Sequence, residues 1–254
     1  MIGAHLSKSN LASEIITSTS DIAQIFISNP RSYQPPKQED IARINEIENQ
    51  IIVHLPYLVN IPSATVEVRE KSAQLLTDTL KYSGRNLTNF VVHAGQGGID
   101  SSLEEANGRW VQFIKSHAIM GKMLIENTAG GSSAPGKNLE NLVDLILDMR
   151  NFADVGVCFD TCHAYAAGYD DLLVSYNYLK DRLGRVDLVH LNDSKDPLGS
   201  NRDRHELLFN GTVGRANLEA LIGQMRADGV DVILETPGDP SVWASEIASY
   251  RNIK

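Results

Sequence analysis

The chain has 254 residues and a formal net charge of −9, from 23 Lys and Arg against 32 Asp and Glu. Its 42% hydrophobic and 22% charged residues fall in the ordinary globular range, which excludes disordered, collagen-like and coiled-coil proteins. The length suits one eight-stranded α/β barrel, and the acidic balance argues against a general polyanion-binding surface. We therefore expect a single domain over residues 1–254.

Short apolar runs rich in β-branched residues recur along the chain, and each is a strand candidate. In order, the candidates are Ile2–His5, Gln24–Ser28, Ile51–His54, Asn89–His93, Lys122–Glu126, Val155–Asp160, Asp187–Leu191 and Asp231–Glu235. Segments with helical spacing lie between them, as at Ile41, Ile44 and Ile47 and from Leu139 to Met149. This alternation predicts an α/β fold that closes into a (β/α)8 TIM barrel, with a doubly wound open sheet as the alternative.

The longest predicted loops all follow a strand. They are Asn29–Lys37, Gly95–Ser102, Gly130–Lys137 and Ser194–Asn201. In a barrel of this type, loops that follow strands gather on the rim that carries the active site. We therefore expect the function at the carboxyl ends of the strands.

Polar residues with strong metal affinity end six of the eight predicted strands. They are His54, His93, Glu126, Asp160, His190 and Glu235. Carboxylates that converge at one barrel end repel one another, and bound divalent cations would cancel that repulsion. A single strand-terminal histidine is usually a hydrogen-bonded rim residue, but six such strand ends together indicate a metal site.

Two local spacings add three donors. Asp160 and His163 are three apart across a strand-to-loop exit, so we expect their side chains to diverge and serve different ions. Asp203 and His205 are two apart, which in an extended loop places both on one side and Arg204 on the other. Nine donors imply about three ions, and the histidine-rich set favours Zn²⁺, with Mn²⁺ or Fe²⁺ as alternatives.

The remaining histidines and the cysteines are interpreted differently. His117 continues the helical run of Trp110, Phe113 and Ile114, so we expect a packed helix residue facing the barrel. His5 ends the first strand and is expected to be a rim or substrate-facing residue. The two cysteines, Cys158 and Cys162, are too few for a disulfide framework and are expected to be small buried hydrophobes.

The location of the protein is a further expectation. The chain has no apolar run of transmembrane length, and its first residues lack the apolar core of a signal peptide. We expect a soluble, intracellular monomer in a reducing compartment, with no membrane partner.

Five strings carry a family resemblance. They are HLPYLVN from His54, IENTAG from Ile125, GVCFDTCHAYAAGYD from Gly156, HLNDSK from His190 and NRDRHE from Asn201. Together they resemble the endonuclease IV family of abasic-site (AP) endonucleases, over almost the whole chain. The resemblance implies a TIM barrel with a trinuclear zinc site that hydrolyses duplex DNA 5′ to an abasic site and leaves a 3′-hydroxyl.

The resemblance also implies residue roles. Glu126 would be the catalytic residue and would bridge two ions, one completed by His54 and His93. The other would be completed by Asp160, His190 and Glu235, while His163, Asp203 and His205 would hold the third ion. A metal-bridging hydroxide would then attack phosphorus, and 3′-phosphatase or 3′-phosphodiesterase activity would accompany cleavage.

Contacts to DNA are expected around the rim. Three divalent cations would convert the four ligand carboxylates into a site of about two positive charges, which offsets the acidic composition. The expected phosphate and stacking contacts are Arg31, Tyr33, Tyr57, Lys195, Arg202 and Arg204. By resemblance, Tyr57 lies where the family inserts side chains into a bent duplex.

The chain departs from the family pattern in three loops. After NTAG the family has Gln and Gly, whereas this chain has Gly131 and Ser132. The loop after His93 reads AGQGG instead of PGS, and a Gly-Glu-Gly string is replaced by FNG at 209–211. These changes leave two alternatives open: a divalent-metal sugar isomerase or epimerase on the same barrel, and a lesion-binding protein without turnover.

Overall fold

The computed structural model describes residues 1–84 and 86–253. Within these residues, eight parallel strands close into a barrel in the order β1-β10-β7-β6-β5-β4-β3-β2. Their bounds are β1 Ile2–His5, β2 Ile22–Phe26, β3 Ile51–His54, β4 Leu87–His93, β5 Lys122–Glu126, β6 Val155–Asp160, β7 Leu188–His190 and β10 Asp231–Leu234. Strands β8 (Asp193–Ser194) and β9 (His205–Glu206) form a separate antiparallel ribbon. The predicted closed barrel is confirmed.

Nine helices pack around the barrel in the described ranges. They are α1 Leu11–Ser18, α2 Gln38–Asn45, α3 Val66–Leu80, α4 Leu103–Ser116, α5 Leu139–Arg150, α6 Thr161–Ala167, α7 Leu172–Leu183, α8 Arg215–Asp228 and α9 Pro240–Asn252. Several begin at side-chain caps, such as the Ser102–Glu105 capping box of α4 and the Asp171 cap of α7. None of the helices in this part of the chain has the length and apolar character needed to cross a membrane.

Three predicted elements were placed wrongly. Strand β4 starts at Leu87, two residues before the predicted Asn89. Strand β2 starts two residues before the predicted Gln24, because Ile22 pairs with Gly3. It also ends earlier than predicted, at Phe26, although the buried apolar run continues beyond that residue. His117 is also not a helical core residue. Helix α4 ends at Ser116. The half-buried His117 ring stacks on the Phe113 ring at 4.5 Å, and its Nδ1 atom forms a hydrogen bond with the Phe113 carbonyl oxygen.

Two layers of side chains fill the barrel. The lower layer is apolar and fully buried, and it contains Ile22, Ile52, Val91, Leu124, Cys158, Leu188 and Ile233. Because side chains two residues apart in a strand face the same side, the residues two positions further on also point inward. They are Gln24, His54, His93, Glu126, Asp160, His190 and Glu235. The strand periodicity therefore places a polar layer directly above an apolar floor.

Strand β1 joins only the polar layer. At Gly3 a Cβ atom would lie 1.7 Å from the carbonyl oxygen of Ile22, so this strand contributes no side chain to the floor. Two residues later, His5 enters the polar layer beside Gln24. The barrel seam between β1 and β2 is thus set by backbone contact.

Candidate metal centre

Glu126, at the end of β5, is the centre of the polar layer. Its side chain is fully buried, and its Oε2 atom lies 3.2 Å from the Nε2 atoms of both His54 and His93. Its other oxygen, Oε1, lies 3.1 Å from His190 Nδ1. The two oxygens of one carboxylate therefore face two different groups of donors.

Two more carboxylates approach His190 on the Oε1 side. Glu235 Oε2 lies 3.3 Å and Asp160 Oδ2 lies 3.9 Å from His190 Nδ1. Donor atoms of Glu126, Asp160, His190 and Glu235 all lie within 4.8 Å of one another. We call these four residues together with His54 and His93 the Glu126 cluster.

A second group of donors lies next to the first. Asp203 places Oδ2 3.1 Å from His163 Nε2 and Oδ1 3.1 Å from His205 Nε2. The ribbon of β8 and β9 delivers His205, while His163 comes from α6. As predicted, Asp203 and His205 converge while Arg204 points away to Asp196. We call His163, Asp203 and His205 the Asp203 cluster.

Four imidazoles are oriented by a fixed acceptor on one ring nitrogen. His54 Nδ1 donates to Leu55 O (2.7 Å), His163 Nδ1 to Asn127 O (2.9 Å), His205 Nδ1 to Glu235 O (3.1 Å) and His190 Nε2 to Gln24 Oε1 (2.9 Å). The other nitrogen of each ring then faces the carboxylates. This arrangement is typical of histidines that bind metal ions.

Gln24 is a functional residue that the sequence interpretation missed. Its Oε1 orients His190, and its Nε2 donates to Glu235 Oε1 at 2.6 Å. The misplaced start of β2 put Gln24 at the wrong end of its strand, where it could not reach the site. Counting two residues from Ile22 would have found it.

Two asparagines that follow ligand candidates were also missed. Asn127 exchanges two hydrogen bonds with the Asp160 backbone, at 2.7 and 2.9 Å. Asn192 donates from Nδ2 to Asp160 Oδ2 at 2.8 Å and accepts from the Glu235 amide at 2.9 Å. Their positions, one residue after the end of β5 and two residues after the end of β7, were the available signal.

The predicted divergence of the Asp160 and His163 side chains was wrong, whereas their service to different ions stays a prediction. The backbone does not leave β6 through a loop, because α6 begins at Thr161 and Asp160 is its N-cap. Asp160 Oδ1 therefore accepts from the His163 amide at 2.6 Å, and the donor atoms of Asp160, His163 and His205 lie within 4.8 Å of one another. The two side chains converge.

The electrostatics of the site reflect burial among opposite charges. Burial raises the pKa of Asp160, whereas His93 and His190 outweigh burial and hold the pKa of Glu126 well below its usual range. Against the effect of burial, Cys158, Glu235 and Glu126 raise the pKa of His190 well above its ordinary value. Asp160 and Asp203 likewise overcome burial and raise the pKa of His205 to about 9. Without a cation, the protons on these rings balance the negative charge of the carboxylates, which is the role that a bound cation would take.

The donor set fits divalent cations. His205 Nε2 is buried without a hydrogen-bond partner among the described residues, although it faces Asp203. Mixed imidazole and carboxylate donors suit Zn²⁺ and related ions. Cys162 also lies near Asp203 and His205, but burial raises the pKa of its thiol to about 12. Both cysteines are free and buried, as predicted.

His5 lies at the edge of the Glu126 cluster. Its Nδ1 atom is 2.9 Å from Glu235 Oε1, and its ring packs 4.4 Å from the Phe26 ring. The Nε2 atom is buried and has no hydrogen-bond partner in the described part of the chain. His5 is thus in the site, as expected of a rim residue.

The six residues expected to contact DNA lie around the mouth of the barrel and differ in exposure and in bonding partners. Tyr57 is 57% exposed and packs its ring edge on Phe26. Arg31 and Lys195 are exposed, whereas the Tyr33 hydroxyl donates to Leu58 O at 2.8 Å. Arg202 and Arg204 share one carboxylate, Asp196, at 3.5 and 3.6 Å.

An open cleft of about 360 Å³ connects the rim with both clusters. Its walls include Tyr57, Asn60, His93, Gln96, Gly131, His163, Asn201 and Asp203. Its size and lining permit a polar ligand to reach the donors from outside.

Comparison with known proteins places this geometry among related barrels. The family described as Xylose isomerase-like TIM barrel matches residues 21–253. The chain is 35% identical to a probable endonuclease 4 of Mycobacterium marinum over 238 residues, which cover 93% of this chain and 92% of that protein.

Solved structures give the same grouping. The crystal structure of endonuclease IV from Thermus thermophilus superposes with a TM-score of 0.82 and 32% identity, covering 98% of this chain and 97% of that one. A D-allulose 3-epimerase from Methylomonas sp. superposes with a TM-score of 0.67 at 12% identity, covering 100% and 90%. The second similarity concerns the fold alone.

Proposed function

This chain belongs to the endonuclease IV family, and we propose that it is a metal-dependent AP endonuclease. It would hydrolyse the phosphodiester bond 5′ to an abasic site in duplex DNA and leave a 3′-hydroxyl. The observation that carries the proposal is the position of Glu126, whose two buried carboxylate oxygens face separate donor groups. One of those donors, His93, lines the cleft that opens to solvent.

The donors divide into three sets in this proposal. His54, His93 and Glu126 would hold one Zn²⁺, and Glu126 would share a second with Asp160, His190 and Glu235. His163, Asp203 and His205 would hold the third, and Mn²⁺ or Fe²⁺ could replace Zn²⁺ at one or more positions. This division is supported by Glu126 Oε2, 3.2 Å from both His54 and His93, and by Asp203, 3.1 Å from both His163 and His205. Donor atoms of Asp160 also lie within 4.8 Å of those of His163 and His205.

The chemistry needs the cations for two purposes. When bound, they would supply Lewis-acid neutralisation of the phosphate and lower the pKa of water. The chain's own residues prepare that arrangement: Gln24, Asn127 and Asn192 hold the donors in one orientation. The apolar floor below them excludes water from one side. The same site would also remove 3′-phosphates or 3′-phosphodiesters.

The rim would bind the duplex. Tyr57 would stack against the DNA beside the abasic nucleotide, with its exposed ring above His93. Arg31, Lys195, Arg202 and Arg204 would contact phosphates, and the Tyr33 ring would contribute packing while its hydroxyl stays bonded to Leu58. We further propose that the protein acts as an intracellular monomer.

Two other functions are distinguished by specific observations. A sugar isomerase or epimerase on this barrel type commonly needs one or two ions, so the Asp203 cluster favours the nuclease. A lesion-binding protein without turnover is suggested by the altered loops at 94–98, 130–137 and 209–211. It would bind abasic duplex and leave it intact.

One experiment separates these functions. The purified protein, supplied with Zn²⁺ or Mn²⁺, is incubated with a duplex that carries a tetrahydrofuran abasic analogue, which cannot undergo β-elimination. We expect a nick 5′ to the analogue with a 3′-hydroxyl, and about three metal equivalents by elemental analysis. An intact duplex would refute hydrolysis, and fewer metal equivalents would favour the isomerase.

A further inference from the structure

Three rim loops meet at one glutamine. The backbone N–H of Gln96 donates to Asn60 Oδ1 at 2.9 Å, and Asn60 lies in the loop that carries Tyr57. The Gln96 side chain accepts from the Ser132 amide through Oε1 at 3.3 Å, in the loop that follows Glu126. Gln96 itself follows His93 by three residues, so it joins the loops after β3, β4 and β5.

The loops after β4 and β5 are also joined by their backbones. Gly97 donates to Ser133 O at 2.9 Å, and Gly98 donates to Ser132 O at 3.0 Å. These two loops are the ones in which the sequence departs from its family at AGQGG and at Gly131–Ser132. The two departures therefore form one structural unit.

Gln96 occupies the space beside Gly131. A Cβ atom on Gly131 would lie 2.7 Å from Gln96 Oε1, and the φ angle of +117° at Gly131 disfavours any side chain there. The loop after β5 thus presents no side chain at position 131, and the loop after β4 places the side-chain amide of Gln96 there instead.

The side chain of Gln96, a residue that lines the cleft, has hydrogen-bonding capacity left over. Since Oε1 accepts from Ser132, the Nε2 group has two donors, and it has no hydrogen-bond partner among the residues that the structure describes. Gln96 is exposed and lines the cleft together with Tyr57, His93 and Asp203. An unpaired amide donor beside a phosphate-cleaving centre suits a phosphate oxygen.

We propose that Gln96 is a substrate-binding residue whose Nε2 group donates to a backbone phosphate of the bound duplex. This inference rests on the proposed function and adds a specific contact to it. Because a phosphate carries no sequence information, the contact raises affinity equally for every flanking sequence.

Two substitutions separate this contact from a purely structural role. Gln96→Glu keeps a side-chain acceptor for the Ser132 amide but replaces the donor with a negative charge. Gln96→Ala removes both. If Gln96 only joins the loops, Gln96→Glu should resemble the wild type; if it binds phosphate, Gln96→Glu should be the weaker binder of the two. Gln112→Glu on the outer face of α4 controls for the change in net charge.

The measurement is the Kd for the tetrahydrofuran duplex, by fluorescence anisotropy, with KM and kcat measured separately. We expect Gln96→Ala to raise Kd and KM about tenfold. Gln96→Glu should raise them further, by an amount that shrinks with added salt, while kcat and metal content stay within about twofold. Wild-type affinity in Gln96→Glu would overturn the contact. Failure of the wild type to nick the duplex would instead refute the proposed function, and the anisotropy comparison would still decide the role of Gln96.

Discussion

Buried carboxylates occur at both ends of this barrel, and their partners differ. At the amino ends of the strands, the side chain of Asp187 is only 4% exposed. It accepts from Lys122 at 2.5 Å, from Arg185 at 2.6 Å and from the Val157 amide at 3.1 Å. At the carboxyl ends, Glu126 is surrounded by imidazoles and forms no ion pair with Lys or Arg within residues 1–84 and 86–253.

The difference lies in the permanence of the balancing charge. Lysine and arginine stay charged near neutral pH, so the Asp187 group is complete without any added ion. Imidazoles can instead give up their protons in exchange for a cation. The partners of Glu126 in this barrel therefore suit exchange for a cation, whereas those of Asp187 form a structural ion pair.

The largest expected effect follows loss of charge at the centre of the carboxyl end. Glu126→Gln should reduce nicking of the abasic duplex by more than about a hundredfold, because a neutral amide is a poor bridge between cations. This reduction should exceed the one caused by changing a residue that only orients the metal-binding side chains. Circular dichroism should show the fold retained. Glu140→Gln, on the outer helix α5, is the charge control, and full activity in Glu126→Gln would contradict the assignment.

A smaller effect is expected from a residue that only orients donors. Gln24→Leu removes the acceptor for His190 and the donor to Glu235, so we expect cation affinity to fall about ten- to a hundredfold. Competition with a chromophoric chelator measures this affinity. Gln38→Leu removes an exposed amide on α2 and should have no effect. Unchanged affinity in Gln24→Leu would remove Gln24 from the site.

A third test uses pH on the chelator-treated protein. The folded-state pKa of His205 lies near 9, above the ordinary 6.5, so its stabilisation is complete below about pH 6.5 and is lost as pH rises through 9. His190 acts in the same direction, since its pKa is also raised. We expect Tm to fall by a few degrees across this range. The cation-loaded protein should stay flat, and a flat profile without cations would contradict the imidazole charges.

The smallest effect on function is expected at the opposite end. Asp187→Asn should lower the free energy of unfolding by about 2 kcal/mol, because Lys122 loses a buried partner. Urea titration measures this loss. Metal content and nicking should equal those of the wild type, and a missing cation would show that the two ends are not independent.

Much of this arrangement is predictable from the sequence because strand geometry is local. Each of the six strand-end donors follows an apolar run, and alternation alone fixes which side they face. The pairing of Asp203 with His205 follows from the same rule in an extended loop. Parallel strands then bring these donors to one mouth.

The errors arose where tertiary contacts decide. The start of β2 depends on the pairing of Ile22 with Gly3, which lies on another strand, and Gln24 was missed because the predicted strand began at that residue. The direction of His163 depends on α6 beginning immediately after Asp160, which that carboxylate itself promotes as the cap. The joining of the altered loops through Gln96 depends on the empty space at Gly131.

The mouth of the barrel depends on Gly3, which lies one layer below it in β1. Any side chain there would push against the Ile22 carbonyl and move β2 outward, and β2 carries the amide that aligns His190. Mutational tolerance at this buried, chemically inert position should therefore be as low as at a ligand. A replacement by alanine would register first as weakened cation retention, before any loss of the fold.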